Sequence, residues 1–281
     1  MIDPGSRGIT RYAQLIIVAI LIAIGISHVV FAIRDWPLGD MDVYLAAAER
    51  LRDGDALYVA GDVAVNSYWY APWYAVAWIP LTYLPRELVA IGWSAVLLAA
   101  TAAVSATLWS YGGRGRMLAL LVGPALFAVS AGGNVQALML LALLFGIHRR
   151  WGPVAVATAA TMKFAPILLV VAYLARGEWQ RAAAAVVLSA LLLAPAVPMG
   201  ILEAGVRSDA APSLLGVSPV LYGLTVCAAI GTTFLVPRRH AVLAAATAAV
   251  LALPRLFVYD VTLVAAGAAE PSLPRDRQSG S

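Results

Sequence analysis

The chain has 281 residues, 62% of them hydrophobic and 12% charged, with a mean hydropathy of +0.85. Soluble domains carry about 25% charged residues, so this composition excludes an ordinary water-solvated globule. The net charge of +4 follows from arginines in loops and requires no nucleic-acid partner.

Apolar segments are read at 15–33, 87–109, 117–130, 134–147, 152–163, 166–176, 180–199, 214–236, 240–253 and 256–269. Together they predict an all-α, polytopic transmembrane bundle of about 10 segments. One membrane domain is expected over 1–270, with a polar cytoplasmic tail at 271–281. Residues 1–33 read as a signal anchor without a small-residue cleavage site. His28 near the end of that first segment reads as a packed or interfacial side chain. With the N-terminus inside, twelve of the nineteen basic residues fall on the inner side. These include Arg114, Arg116, Arg149, Arg150, Arg176, Arg181, Arg238 and Arg239, the expected inner bias of membrane proteins. Eleven of the fifteen acidic residues fall outside.

The largest outer segment is 34–86. Within it, Met41, Tyr44, Leu45, Ala48 and Leu51 recur at helical spacing, which predicts an amphipathic helix over 40–53 lying along the outer interface. Asp40 stands where an N-cap belongs, and Gly54 follows the end. "NSYWYAPWYAVAWIPLTYLP" comes next. Such a density of aromatics suits a headgroup layer, and it equally suits the walls of a sugar site.

Further along, Asn134 and Gln136 occupy a predicted outer turn. Pro166 breaks the hydrophobic run just after Lys163. Short or broken membrane segments are tolerated where they are buried in protein or line a cavity. His148 and His240 lie beside arginines and read as solvated turn residues. Cys227, within an apolar run, reads as a small buried hydrophobe. Asp260 opens the last apolar segment. Ionisable groups at membrane depth are costly, which makes Lys163 and Asp260 candidates for function. Against this stand plainer readings: snorkelling for Lys163, capping or pairing with Arg255 for Asp260, and capping for Asn134, Gln136 and Asp40. An aspartate at a cavity mouth can take a proton from an attacking hydroxyl. Asp40 and Asp42, at i and i+2, share no helix face and make no preformed metal pair. Phosphate-loop, dinucleotide and zinc-helix signatures are absent.

"GDMDVYLAAAERLRDGDALY" followed by "YAPWYAVAWIPLTYLP" resembles the first outer loop of the polyprenyl-phosphate-mannose-dependent alpha-1,2-mannosyltransferases, glycosyltransferase family 87 of the GT-C superfamily. "GNVQALMLLALLFGIHRR", "ATAATMKFAPILLVVAYLARGEWQRA" and "LPRLFVYDVTLVAAG" are similar to three later motifs of that family, in family order. The resemblance implies inverting mannose transfer from a polyprenyl-phosphate donor to a glycan or glycolipid, on the outer face of a bacterial plasma membrane. It implies Asp40 as general base with Asp42 second. Lys163, Arg207 and Arg255 become donor-phosphate candidates, and Tyr44, Tyr70, Asn134, Gln136, Tyr259 and Asp260 substrate-binding candidates. No cofactor is implied, and a divalent metal is left open. Two departures stand out: the chain is shorter than typical members, and it reads "RLFVYD" where many members carry a histidine. A transferase for another lipid-linked sugar such as arabinose, and a lipid transporter or non-catalytic scaffold, remain the alternatives.

Overall fold

The structure, a computed structural model, describes residues 38–59, 68–202 and 213–268. The first predicted apolar segment, His28, Arg207 and the tail lie outside the described residues. Within them the chain is helical and has no strand. Its helices are α1 (Gly39–Asp53), α2 (Pro72–Trp78), α3 (Arg86–Ser110), α4 (Gly113–Ser130), α5 (Gln136–Gly146), α6 (Gly152–Met162), α7 (Val170–Arg176), α8 (Trp179–Leu193), α9 (Leu214–Val217), α10 (Pro219–Leu235) and α11 (Ala241–Leu251). Ile79–Tyr83, Ala165–Leu169 and Val258–Ala268 are 3-10 helical.

Among the described residues, two helices are long and apolar enough to cross a membrane, Arg86–Ser110 and Trp179–Ala196. Five shorter apolar helices accompany them. Short turns join successive helices, so α3 packs along α4 and α10 along α11, while α6 packs along α8 across the intervening α7. The centre is α11, whose Ala241, Val242, Ala245, Ala246, Ala248 and Ala249 are all buried. Alanines let neighbouring backbones approach closely. α7, α10 and the 258–268 segment pack around it.

Up-and-down order sorts the turns onto two ends. Residues 131–135 and 163–164 lie at one end with Asp40. Residues 147–151, 177–178 and 236–240 lie at the other. α5, with 11 residues, separates the two by about 16 Å.

A second hydrophobic cluster caps the first end. α1 buries its apolar face, Met41, Val43, Tyr44, Ala47 and Ala48, against α2 and the 79–83 segment and leaves Glu49, Arg52 and Asp53 exposed. Gly54 terminates it in the left-handed conformation, φ 83°. The aromatics of 68–78 are not an exposed belt either. Tyr68, Tyr70, Tyr74 and Trp78 are buried, with edge-on contacts from Tyr44 to Tyr70 and Tyr74 at 5.0 Å between ring centres. They form the core of the layer above the bundle. Cys227, by contrast, is exposed on α10.

Candidate functional site

Local chain geometry delivers each polar group to the capped end. α6 stops at Met162, since Pro166 would lose a hydrogen bond and clash with that residue's carbonyl in a continued helix. Lys163 is therefore extended, φ −144° and ψ 116°. The turn between α4 and α5 carries Gly133 at φ 81°. Its carbonyl accepts from Trp93 Nε1 at 2.7 Å. Trp93 is the eighth residue of α3, which puts this turn about 10 Å below the end of α3 at Arg86.

α1 descends onto that turn. Asp40 N–H donates to the Gly132 carbonyl at 2.9 Å. The helix begins at Gly39 with Leu38 as N-cap and no side-chain cap. Asp40 is thus the second helical residue, not the cap. Its Oδ2 instead accepts from Asn134 Nδ2 at 2.8 Å. Asn134 Oδ1 accepts the Gln136 N–H at 2.9 Å, so one side chain holds both Asp40 and the start of α5. Burial pushes the Asp40 carboxyl above the usual carboxylate range, against the opposing pull of the Asn134 hydrogen bond and the nearby Lys163 charge.

Lys163 is not a free cation. Its Nζ pairs with Asp260 Oδ1 at 2.5 Å, with both side chains largely buried. The same Nζ lies 4.4 Å from the Tyr259 ring centre. Asp260 Oδ2 accepts the Phe257 N–H at 2.9 Å, which fixes the carboxylate to its own turn. Asp260 therefore pairs with Lys163 and also caps its own backbone. Gln136 Nε2 donates to Thr262 Oγ1 at 3.1 Å, and its fully buried Oε1 has no partner. Tyr44 and Tyr70 share a 2.9 Å hydroxyl hydrogen bond. Burial, followed by neighbouring charge, holds both phenols well above their ordinary value, so they are neutral and able to donate.

No protein-family model, no curated protein and no solved structure matches the chain.

Asp40, Tyr44, Tyr70, Asn134, Gln136, Lys163, Tyr259 and Asp260 come from five separate stretches of chain and meet at one end of the bundle. Asp42 does not join them. It faces the rim and takes a two-pronged bond from Arg86, at 2.8 and 2.7 Å. Arg255 is half-buried in the turn leading to Tyr259. No group of three or more acidic, histidine or cysteine side chains suited to a metal occurs among the described residues.

Phe164, the residue after Lys163, lines an apolar cavity of about 330 Å³ together with Trp69, Leu193, Ala196, Val197, Ile201 and Leu202. Thr262, Trp93 and Thr161 also shape the site. Thr161 accepts from Trp73 Nε1 at 3.1 Å and ties α6 to the aromatic layer. None of the three was singled out in the sequence. Trp93 and Thr161 lie inside apolar runs, where the sequence offers no cue. Thr262 had one: its place two residues after Asp260.

Proposed function

We propose that the protein is a multi-pass membrane glycosyltransferase that moves a sugar, mannose by resemblance, from a polyprenyl-phosphate donor to a hydroxyl of a glycan or glycolipid at the outer face. One observation carries this reading. Asp40 is released from helix capping and held by Asn134 near the Lys163–Asp260 pair, and Phe164, the residue after Lys163, lines an apolar cavity. The membrane setting is supported by the two long apolar helices and by exposed Leu120, Leu121, Leu191 and Leu235. Inner-facing arginines at the opposite end agree with the same orientation.

The chemistry balances without a protein nucleophile. The acceptor hydroxyl oxygen attacks the anomeric carbon. The bond from that carbon to the phosphate oxygen breaks, and its electron pair leaves with the lipid phosphate. The hydroxyl proton passes to the Asp40 carboxylate, whose raised affinity for protons makes it a stronger base than an exposed aspartate. An ammonium has three donors. Asp260 occupies one, so Lys163 retains capacity for the phosphate, whose negative charge grows as the bond breaks. The apolar cavity suits the first isoprene units of the donor, whereas the Tyr44–Tyr70 pair, buried in the aromatic layer, braces α1 rather than meeting the sugar. Asp42, at the rim, has no part in the transfer.

Transfer by purified protein in detergent, with polyprenyl-phosphate mannose and polyprenyl-phosphate arabinose offered separately, tests the reading. Asp40→Asn is expected to lower transfer by about 10²–10⁴-fold, the usual share of a general base, with the fold retained. Unchanged transfer in that variant would remove Asp40 from the mechanism. Absence of transfer by the parent protein from either donor would overturn the enzyme reading.

A further inference from the structure

The end of the bundle remote from Asp40 carries a second polar constellation that sugar transfer does not use. It is built from three turns, 147–151, 176–181 and 236–240. Arg176 joins them: Nε donates to the Arg238 carbonyl at 3.1 Å, and Nη1 lies 3.1 Å from His148 Nδ1. Arginine only donates, so His148 Nδ1 accepts and its proton resides on Nε2. His148 is not a solvated turn residue. Burial, then the Arg176 and Arg181 charges, push its imidazole down to about 4, so the ring is neutral. Arg181 completes the framework, with Nη2 donating to the Ile147 and Arg149 carbonyls, each at 2.7 Å, and Nη1 pairing with Glu178.

Charge on this face is lopsided. Among the described residues, Arg149, Arg150, Arg176, Arg181, Arg238 and Arg239 stand against the single carboxylate of Glu178. Arg149, Arg150, Arg238 and Arg239 are exposed. Trp109, Tyr111, Trp151 and Trp179 are exposed at the same end, where α3, α6 and α8 meet the turns. Arginine interleaved with tryptophan and tyrosine at the ends of apolar helices is the composition of a bilayer interface. An acidic protein partner would not call for that aromatic ring around the charge.

We propose that this face binds the headgroup of an anionic phospholipid bearing two phosphodiesters. Arg149 and Arg150 engage one phosphate, Arg238 and Arg239 the other, and Arg176 holds the two turns at a fixed separation. Guanidinium forks match phosphate oxygens two at a time, and basic pockets between membrane helices favour such lipids. The proposal rests on the membrane reading above and is independent of sugar transfer.

Full-length protein in nanodiscs of phosphatidylcholine, doped with diphosphatidylglycerol or with phosphatidylglycerol at equal phosphate content, tests it by native mass spectrometry. The parent is expected to retain diphosphatidylglycerol in preference to phosphatidylglycerol. Arg238→Gln/Arg239→Gln and, separately, Arg149→Gln/Arg150→Gln should each weaken that retention about tenfold or more. The framework survives both changes, since it uses the backbone carbonyls of Arg149 and Arg238. Equal retention of the two lipids, or unchanged preference in both variants, would overturn the proposal alone. Failure of the parent to enter discs of any composition would overturn the membrane reading with it.

Discussion

At the scale of single residues, Asp40 shows how a group can be set against its surroundings. Position two of a helix favours a carboxylate through the helix dipole, and Asn134 donates to it. Burial works the other way and prevails, so its proton affinity is raised. The folded state then holds the proton more tightly than the unfolded chain does. Its contribution to stability is full below the ordinary aspartate value of 3.8 and is lost as pH rises through the folded value. Above that window the charged form weighs against folding. Asp40→Asn is therefore expected to melt at the same temperature as the parent near pH 4 and at an equal or higher temperature at pH 7, by circular dichroism. A melting point several degrees lower at pH 7 would mean that the carboxylate serves the fold. Such a trade, stability given up for a charged group at a site, is common where function needs it.

At the scale of elements, the helix over 40–53 was legible because its periodicity, Asp40 and Gly54 agreed, and the structure has it at 39–53. The break before Pro166 was legible for a steric reason. What the sequence concealed was burial. Tyrosine suits an interface and a core alike, so "YWYAPWY" carried no sign that the rings fold inward. The Asp42–Arg86 pair joins residues 44 apart, and nothing local announces it. The same holds for Lys163 with Asp260, 97 apart: each was visible as a costly charge, but not its partner. The site also depends on how α1 docks. Gly133 adopts φ 81°, and a Cβ there would press on the Met41 backbone nitrogen and side chain. Gly133→Ala is expected to cost about 1–2 kcal/mol from the left-handed backbone. It should also displace Asp40 and abolish most transfer. A variant with parental activity would show that the seat of α1 on this turn is irrelevant to the site.

At the scale of the whole molecule, helices that alternate in direction put unlike chemistry at the two ends. One end gathers Asp40, Lys163 and Asp260 under an aromatic layer, and the other gathers arginine and tryptophan. The clustering of arginine in alternate turns was readable directly from the sequence. The merging of three of these turns through Arg176 was not, because it requires α7 and α11 to pack side by side. Convergence of the turns at the Asp40 end comes from α5 packing against both α6 and the 258–268 segment, which itself lies along α11. The central claim is that this convergence forms the seat of a lipid phosphate. Determination of the structure with polyprenyl phosphate bound tests it most directly. The account predicts the phosphate against Lys163 Nζ, the isoprene chain along Phe164 and Leu193, and Asp40 across the gap that the sugar would fill. A phosphate seated elsewhere, with the Lys163–Asp260 pair untouched, would contradict it.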